Sequence, residues 1–276
     1  MANSVPMLID THAHLDYPDY DPDRPEVIAR AAQAGVTEII SIGTRIDSST
    51  RAVELAENFP SIWATVGVHP SEARDAPDDA IDHLRRLAQS PRVVAIGEIG
   101  LDYHHLPGDP AAVEVDKKRQ ADLFRRQLEL ALSLGLNAVI HQRDSWDDTL
   151  AILREFTGRV RGVFHCFGGT LEQAREVIAL GHLVSFTGIV TFKNARQVQS
   201  TAQDVPFDQF MVETDCPYLA PTPDRGKRCE PAHTRRVAEQ IAQLRRVAVE
   251  EIAARTTETA RGFFRFNRAT ATRNFE

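Results

Sequence analysis

The sequence predicts an α/β fold, a single (β/α)8 TIM barrel with a metal site at the carboxyl-terminal ends of its strands. Three observations support this prediction. Eight short apolar runs rich in Val and Ile recur along the 276 residues, amphipathic segments separate most of them, and histidines and carboxylates occur where the runs end. Strands that helices cover on both faces are near-continuous apolar runs of this kind.

The apolar runs are the candidate strands. They cover residues 7–15, 36–43, 62–70, 93–101, 137–143, 161–167, 182–188 and 209–215. An open, doubly wound sheet is the alternative, but it would need a glycine-rich phosphate-binding turn after its first strand. No such turn follows the first run, MLIDTHAHL. We therefore predict the closed barrel.

Amphipathic segments between the runs are the candidate helices. Two of them end at Gly35 and Gly135, and glycine just past a helix is a stop signal. The others cover residues 46–58, 78–89, 145–155, 170–180, 231–244 and 246–265. No linker divides the chain, so we predict one domain over residues 1–276, with its core at 7–266 and a flexible tail at 267–276.

The composition is that of a globular protein with a sizeable core, at 42% hydrophobic and 26% charged residues. No apolar run is long enough to cross a membrane and the opening MANSVP lacks the features of a signal peptide, so we expect a cytoplasmic protein. Three cysteines give no basis for a disulfide framework. The net charge of −7 argues against coating of long nucleic acids but allows a site for a few phosphates.

Metal-ligating residue types concentrate at the ends of the predicted strands. Two carboxylates, Glu98 and Asp215, each interrupt an apolar run, which is costly unless a cation or strong donors are close. Side chains two apart on a strand point the same way, and the carboxyl ends of barrel strands meet at one rim. Five of the ten histidines lie at strand ends, namely His12, His14, His69, His141 and His165.

A lone histidine at a strand end is more often a structural residue, but these side chains would converge as a set. Nitrogen and oxygen ligands suit divalent ions such as Mg²⁺, Mn²⁺ or Zn²⁺. The set exceeds what one tetrahedral site needs, so we predict two ions that share one carboxylate, with Glu98 as the bridge. Asp10 and Glu213 lie one layer deeper, where we expect them to hydrogen-bond the ligand shell.

With these residues in place, the chain resembles the TatD family of metal-dependent hydrolases, cytoplasmic barrel enzymes that are mainly deoxyribonucleases. The resemblance spans about residues 7–266. The motifs that carry it are DTHAHLD (10–16), GVHP (67–70), GEIGLDYH (97–104), IHQR (140–143), HCFGG (165–169), ETDCPYLAP (213–221) and RGKRCEP (225–231).

The resemblance implies the assignment of each ligand. One ion would be held by His12, His14, Glu98 and Asp215, and Glu98 would bridge to a second ion that His141 and His165 complete. His69 then leaves the metal shell and moves to substrate binding.

Two positions depart from the family pattern. Cys229 and Thr259 stand where members often have asparagine. Neither position is a ligand, but we expect Cys229 to change the hydrogen bonding of the loop over the site and with it the substrate preference.

The expected activity is exonuclease-like cleavage of DNA by a metal-activated water. Asp215 would take the proton from the water, and Glu98 would act as the bridging carboxylate of the catalytic centre. His69 and Arg143 would hold the phosphate, and Arg225 in the loop after the eighth strand would meet a neighbouring one. The alternative for the RGKR run is a solvated charge cluster. Strand ends or single strands of DNA are the expected partner, the oligomeric state is open, and a monomer would suffice.

Three alternatives remain at this point. The first is another hydrolase on the same barrel, such as a D-aminoacyl-tRNA deacylase or an amide or ester hydrolase. The second is a non-catalytic binding protein, which would be expected to have lost ligands that are all present here. The third, a hydrolase with a carbamylated lysine, needs lysine where this chain has Glu98.

Overall fold

A computed structural model describes residues 7–266, which form eight parallel strands in the order β1 to β8 around a barrel. The predicted (β/α)8 fold is confirmed. The predicted tail, 267–276, lies outside the described residues. The strands are β1 Leu8–Ala13, β2 Val36–Ile42, β3 Ile62–Val66, β4 Val93–Asp102, β5 Asn137–Arg143, β6 Gly162–Phe164, β7 Leu183–Phe186 and β8 Phe210–Val212.

The helices lie where the amphipathic segments predicted them, with one addition. The added helix is α7, which the sequence pattern did not predict. Its apolar periodicity is weak, because this nine-residue helix buries only Val198, Thr201 and Ala202. Short 3-10 helices cover Pro18–Tyr20, Pro70–Glu72, Gly188–Thr191 and Pro231–His233. The α-helices are α1 Arg24–Gln33, α2 Ile46–Asn58, α3 Ala80–Leu87, α4 Pro110–Leu134, α5 Trp146–Glu155, α6 Leu171–Ala179, α7 Arg196–Asp204, α8 Thr234–Arg245 and α9 Val249–Phe264. None of these helices combines the length and apolarity needed to span a membrane.

Strands β6 and β8 are shorter than the sequence predicts, at three residues each. The residues that follow them leave the sheet in left-handed turns, with φ of 47° at Cys166 and 58° at Asp215. A non-glycine residue with such a φ is uncommon and often belongs to a functional site. The turns direct the adjacent side chains across the barrel mouth instead of along the sheet.

The amino-terminal end of the barrel is filled by apolar side chains. Phe263 and Phe264 at the end of α9 join a buried cluster with residues of several strands, among them Ile9 and Met211. Asn137, the first residue of β5, donates a hydrogen bond of 2.6 Å to the carbonyl oxygen of Phe263. The functional end of the barrel is therefore the opposite, carboxyl-terminal one.

Segments that carry candidate site residues close the barrel between β1 and β8. The backbone N–H of Asp215 donates to the carbonyl oxygen of His12 at 2.9 Å, and that of His14 donates to the carbonyl oxygen of Cys216 at 2.8 Å. Ala13 and Cys216 also form a parallel bridge. The hydrogen bonds of this seam, which join β1 to the segment after β8, therefore also fix the backbone of the predicted ligands.

A buried carboxylate ties the same seam one layer deeper. Asp10 accepts hydrogen bonds from the backbone N–H of Thr214 at 2.9 Å and from its hydroxyl at 2.6 Å. Burial raises the pKa of Asp10 to about 7, although the bonds from Thr214 act to lower it. Oδ1 also accepts from the N–H of His12 at 3.3 Å, so loss of the hydroxyl bond is the change that would leave an oxygen of Asp10, Oδ2, unsatisfied.

Replacing Thr214 with Val, which keeps the shape but removes the hydroxyl, should lower the free energy of unfolding by roughly 1–3 kcal/mol. Urea denaturation measures the loss. Thr256→Val is the matched control, because the buried hydroxyl of Thr256 bonds only to carbonyl oxygens of its own helix. Equal losses in the two variants would contradict a special role of the seam.

Candidate metal centre

All six side chains predicted to bind metal converge at the carboxyl-terminal end of the barrel. Strands β1, β4 and β5 carry four of them or end next to them, and the turns after β6 and β8 carry the other two. They are His12, His14, Glu98, His141, His165 and Asp215, and they fall into overlapping groups whose ligand atoms lie within 4.8 Å of one another.

The first donor group surrounds Oε2 of Glu98. His12 Nε2 lies 3.3 Å from His14 Nε2, 3.4 Å from Glu98 Oε2 and 3.6 Å from Asp215 Oδ1. His14 Nε2 lies 3.4 Å from the same oxygen of Asp215 and 3.9 Å from Glu98 Oε2. In a tetrahedral site with bonds of about 2.1 Å, ligand atoms are about 3.4 Å apart. The five separations between these donor atoms, 3.3–3.9 Å, are close to the tetrahedral value.

The second donor group surrounds Oε1, the other oxygen of Glu98. Both His141 Nδ1 and His165 Nε2 lie 2.7 Å from it, and 3.1 Å separates the two nitrogens. This group is tighter than the first. Its side chains would have to separate by roughly 0.7 Å to reach a tetrahedral spacing. The donor types fit a divalent ion in both groups, and Glu98 offers one oxygen to each.

The charge state of the carboxylates suits cation binding. Burial acts to raise the pKa of Glu98, whose side chain is 3% exposed, but the imidazoles of His165 and His69 outweigh it and hold the pKa well below its usual range. The pKa of Asp215 is also lowered, because its contacts with His14 and His12 outweigh the effect of burial. Both groups are therefore anionic at neutral pH.

Close contacts between neighbouring strands place Glu98 in the barrel mouth. A Cβ atom on Gly67 would lie 2.6 Å from the carbonyl carbon of Gly97, and one on Gly97 would lie 2.6 Å from Cβ of Val139. Glycine is needed at both positions for this approach of β3, β4 and β5. The pairing of β4 shifts register between Ile96 and Ile99, on either side of Glu98.

The hydrogen bonds expected from the deeper carboxylates are present. Asp10 holds Thr214 as described above, and Glu213 Oε1 accepts from the backbone N–H of Cys166 at 2.6 Å. The same oxygen lies 3.7 Å from His165 Nδ1. Glu213 therefore anchors the turn that carries His165.

The sequence reasoning missed Asp102, the last residue of β4. Its Oδ2 lies 3.3 Å from Nε2 of His141, and its Oδ1 accepts from the backbone N–H of His104 at 2.8 Å. Burial acts to raise the pKa of Asp102, but these contacts lower it to about 2. Asp102 ends the same apolar run four residues after Glu98, which is the signal in the sequence that could have identified it.

Both ring nitrogens of His141 contact carboxylates: Nε2 lies 3.3 Å from Asp102 Oδ2 and Nδ1 lies 2.7 Å from Glu98 Oε1, and these contacts outweigh burial and raise the pKa of His141. With the Nε2–H kept as a donor to Asp102, the neutral ring would offer the lone pair of Nδ1 to a cation. Gln120 in turn fixes the backbone of Asp102, because its Oε1 accepts from the Asp102 N–H at 2.9 Å and its Nε2 donates to the Asp102 carbonyl at 3.0 Å.

His69 has the opposite arrangement, which fits its predicted place outside the metal shell. The backbone N–H of Ser71 donates to Nδ1 of His69 at 3.1 Å, so the proton of the neutral ring lies on Nε2. Burial lowers the pKa of His69 to about 3. Nε2 lies 3.5 Å from Glu98 Oε1. His69 therefore presents a neutral N–H donor to the centre, not a lone pair.

An open cavity of about 1300 Å³ lies above the donor groups, and Asp215, His69 and Arg143 all line it. Arg143 is exposed, and its guanidinium makes no ion pair or hydrogen bond with the described residues. Lys117 also lines the cavity, with its Nζ 4.6 Å from the centre of the Tyr103 ring.

The RGKR run does not reach the cavity. The guanidinium of Arg225 stacks on Phe192, 4.2 Å from the ring centre, and Arg225 is not among the cavity-lining residues. Lys227 pairs with Asp224 in the same loop at 2.9 Å. Arg225 therefore lies outside the cavity, and its predicted contact with a neighbouring phosphate stays a prediction.

The run also contains a cation that is neutralised within the fold. Arg228 contacts Asp23 at 2.7 Å and Glu230 at 3.0 Å. This pairing agrees with the alternative that the run is a structural charge cluster.

The two departures from the family pattern lie away from the donor groups. Cys229 is buried, its N–H donates to the carbonyl oxygen of Pro217 at 3.0 Å, and its Sγ lies 3.4 Å from Nδ1 of His233. Thr259 lies on the exposed face of α9 and bonds only the carbonyl oxygen of Arg255. Cys229 thus belongs to the packing of the loop after β8.

Comparison with known proteins places this centre in a class. The family model described as TatD related DNase matches residues 9–265. An uncharacterized metal-dependent hydrolase of Bacillus subtilis, YabD, is 43% identical over 95% of this chain and all of its own. The 3'-5' ssDNA/RNA exonuclease TatD of Cronobacter turicensis is 35% identical over 96% of this chain and all of its own. The crystal structure of the Escherichia coli TatD homolog YjjV superposes with a TM-score of 0.86 at 31% identity, over 95% of this chain and 99% of that one.

The barrel, the clustered histidines and carboxylates, and these relatives define a metal-dependent hydrolase. Within that class the chain belongs to the TatD-related DNase family.

The Asp102→Asn variant should lose affinity for one ion by about 10–100-fold, because the amide would donate to Nε2 of His141 and leave the proton on Nδ1. Metal titration followed by elemental analysis measures this loss. Asp144→Asn is the control, since Asp144 contacts His104 at the rim and none of the six candidate ligands. Parental affinity for every bound ion in Asp102→Asn would contradict the tautomer argument.

Proposed function

We propose that the protein is an exonuclease-like deoxyribonuclease that uses two divalent ions, Mg²⁺, Mn²⁺ or Zn²⁺, to cleave DNA phosphodiesters. The observation that carries the proposal is the division of one buried carboxylate between two donor groups. Oε2 of Glu98 faces His12 and His14, which also contact Asp215, while Oε1 faces His141 and His165. Paired ions bridged in this way are typical of enzymes that cleave phosphodiesters.

The chemistry of the bound ions would be to acidify water and to withdraw charge from a phosphoryl oxygen. The protein's own residues supply the rest. Asp215 is the candidate proton acceptor, because its carboxylate is anionic, 15% exposed and part of the cavity lining. Glu98 remains buried and holds the two donor groups together.

Two groups are suited to bind the scissile phosphate. The Nε2–H of His69 is a neutral donor directed at the centre, and the guanidinium of Arg143 is an unpaired cation in the same cavity. An arginine fork matches two phosphate oxygens. Arg225, on the ring of Phe192 outside the cavity, is the candidate for a neighbouring phosphate.

The charges around the cavity favour a strand end or a short single strand over a long duplex. Arg143 and Lys117 line the cavity, but so do Asp144, Asp147 and Asp148. A mouth with so few cations on a protein of net charge −7 can neutralise only a few phosphates. The name of the Cronobacter relative, a 3'-5' ssDNA/RNA exonuclease, supports the same class of substrate.

Replacing Glu98 with Gln should remove the anion shared by both donor groups. The metal bound by both groups should decrease. Turnover should drop by more than the roughly 10–100-fold expected from loss of a residue that only contacts a ligand, such as Asp102. Elemental analysis and a nuclease assay measure the two effects. Glu155→Gln, which alters a surface carboxylate paired with Arg125, should leave both unchanged. Parental metal content and parental turnover in Glu98→Gln would refute the two-ion proposal.

End-labelled single-stranded DNA should be shortened stepwise by the metal-loaded enzyme and cut faster than the matching duplex. Product lengths on a sequencing gel report both the substrate preference and the direction of cutting. An RNA of the same sequence and a D-aminoacyl-tRNA are assayed in parallel. Release of the D-amino acid without cleavage of any oligonucleotide would replace the nuclease proposal with the deacylase alternative.

A further inference from the structure

We propose that Tyr218 forms a stacking subsite for a nucleobase next to the metal centre, so that the enzyme recognises nucleotides and not phosphate esters in general. The proposal deepens the proposed nuclease function and rests on it for the identity of the ligand. It depends on three observations: the backbone hydrogen bond that ties Tyr218 to Asp215, the exposure of its ring, and the positions of apolar and charged side chains around the cavity.

The backbone ties Tyr218 to a candidate metal ligand. Tyr218 follows Asp215 by three residues, and its N–H donates to the carbonyl oxygen of Asp215 at 3.0 Å. The next residue, Leu219, has a left-handed φ of 55°. The position of the ring is therefore set by the same turn that places the carboxylate of Asp215.

The ring of Tyr218 is about half exposed, and its contacts with the rings of His14, at 6.4 Å, and Tyr17 are edge-on. Its side chain lines the cavity and is 53% exposed, which makes it the exposed aromatic among the large hydrophobic side chains of residues 7–266. It meets Tyr17 edge to face, with ring centres 6.2 Å apart and an interplanar angle of 83°. Tyr17 is itself stacked on His14 at 4.9 Å, so the support continues to a candidate ligand.

The other large aromatic side chains that line the cavity, Tyr103 and Trp146, are less exposed than Tyr218 and have close partners of their own. Lys117 covers the ring of Tyr103, whose hydroxyl donates to Asp148 at 2.8 Å. Trp146 packs against Phe164, with ring centres 6.0 Å apart. Tyr218 is therefore the side chain best placed to receive a flat ligand.

The two sides of the cavity have different chemistry. Tyr218 and Leu219 follow β8 and Ile189 follows β7, and these side chains line one wall. Arg143 ends β5, and Lys117 lies on the helix between β4 and β5. In an eight-stranded barrel, β8 lies across the mouth from β4. The second wall is charged, with Asp144, Asp147 and Asp148 beside the two cations. An apolar wall opposite a charged wall that contains Arg143 suits a nucleotide, which has a base at one end and a phosphate at the other.

Stacking of a base on an exposed aromatic ring contributes appreciably to affinity and tolerates any base sequence. The metal-loaded enzyme should therefore bind thymidine 5'-monophosphate about tenfold more tightly than 2-deoxyribose 5-phosphate. Isothermal titration calorimetry of the two ligands measures the ratio. Tyr218→Ala should bring the ratio close to one with unchanged metal content, and Tyr218→Phe should retain the preference because it keeps the ring.

Equal binding of the two ligands by the parent enzyme, including no measurable binding of either, would overturn the proposal. A loss of preference in Tyr218→Phe as large as that in Tyr218→Ala would also overturn it and assign the effect to the hydroxyl. The nuclease proposal fails separately: an enzyme that prefers the nucleotide but leaves labelled DNA intact keeps the base subsite and loses the nuclease function.

Discussion

A carboxylate buried among imidazoles is stable only if its charge is balanced, and Glu98 imposes this requirement on the whole mouth of the barrel. Its two oxygens face different partners: Oε2 faces His12 and His14 at the end of β1, and Oε1 faces His141 of β5 and His165 in the turn after β6. The pairing of β4 shifts register at Glu98, and glycines beside it allow the close approach of the neighbouring strands. The remaining site is arranged around that one group.

Closure of the barrel and assembly of the centre are coupled. Backbone hydrogen bonds from Asp215 to His12 and from His14 to Cys216 close the barrel between β1 and β8. The same two segments present candidate ligands. A change that loosens the seam therefore moves donor atoms as well as strands. Asp10 lies beneath this seam and binds Thr214, so a buried acid supports both fold and site.

The roles of the histidines follow from what contacts the second nitrogen of each ring. His141 faces Asp102 with Nε2, so that Nδ1 is the nitrogen that would bind a cation, whereas His69 accepts from Ser71 on Nδ1 and keeps a proton on Nε2. The same residue type thus supplies a ligand in one place and a hydrogen-bond donor in another. The residue type at a strand end does not distinguish these two roles. The atoms that contact each ring do.

The sequence by itself predicted the fold and which side chains meet at the barrel mouth, because strand periodicity and the shared rim of barrel strands are local rules that His12 and His14 obey two residues apart. Only the tertiary structure shows that Asp102 contacts His141, 39 residues away on β5. It also decided that Arg228 is neutralised by Asp23, 205 residues earlier in the chain. Such pairings depend on which segments the closed barrel brings together, and the spacing of residues along the chain does not predict them.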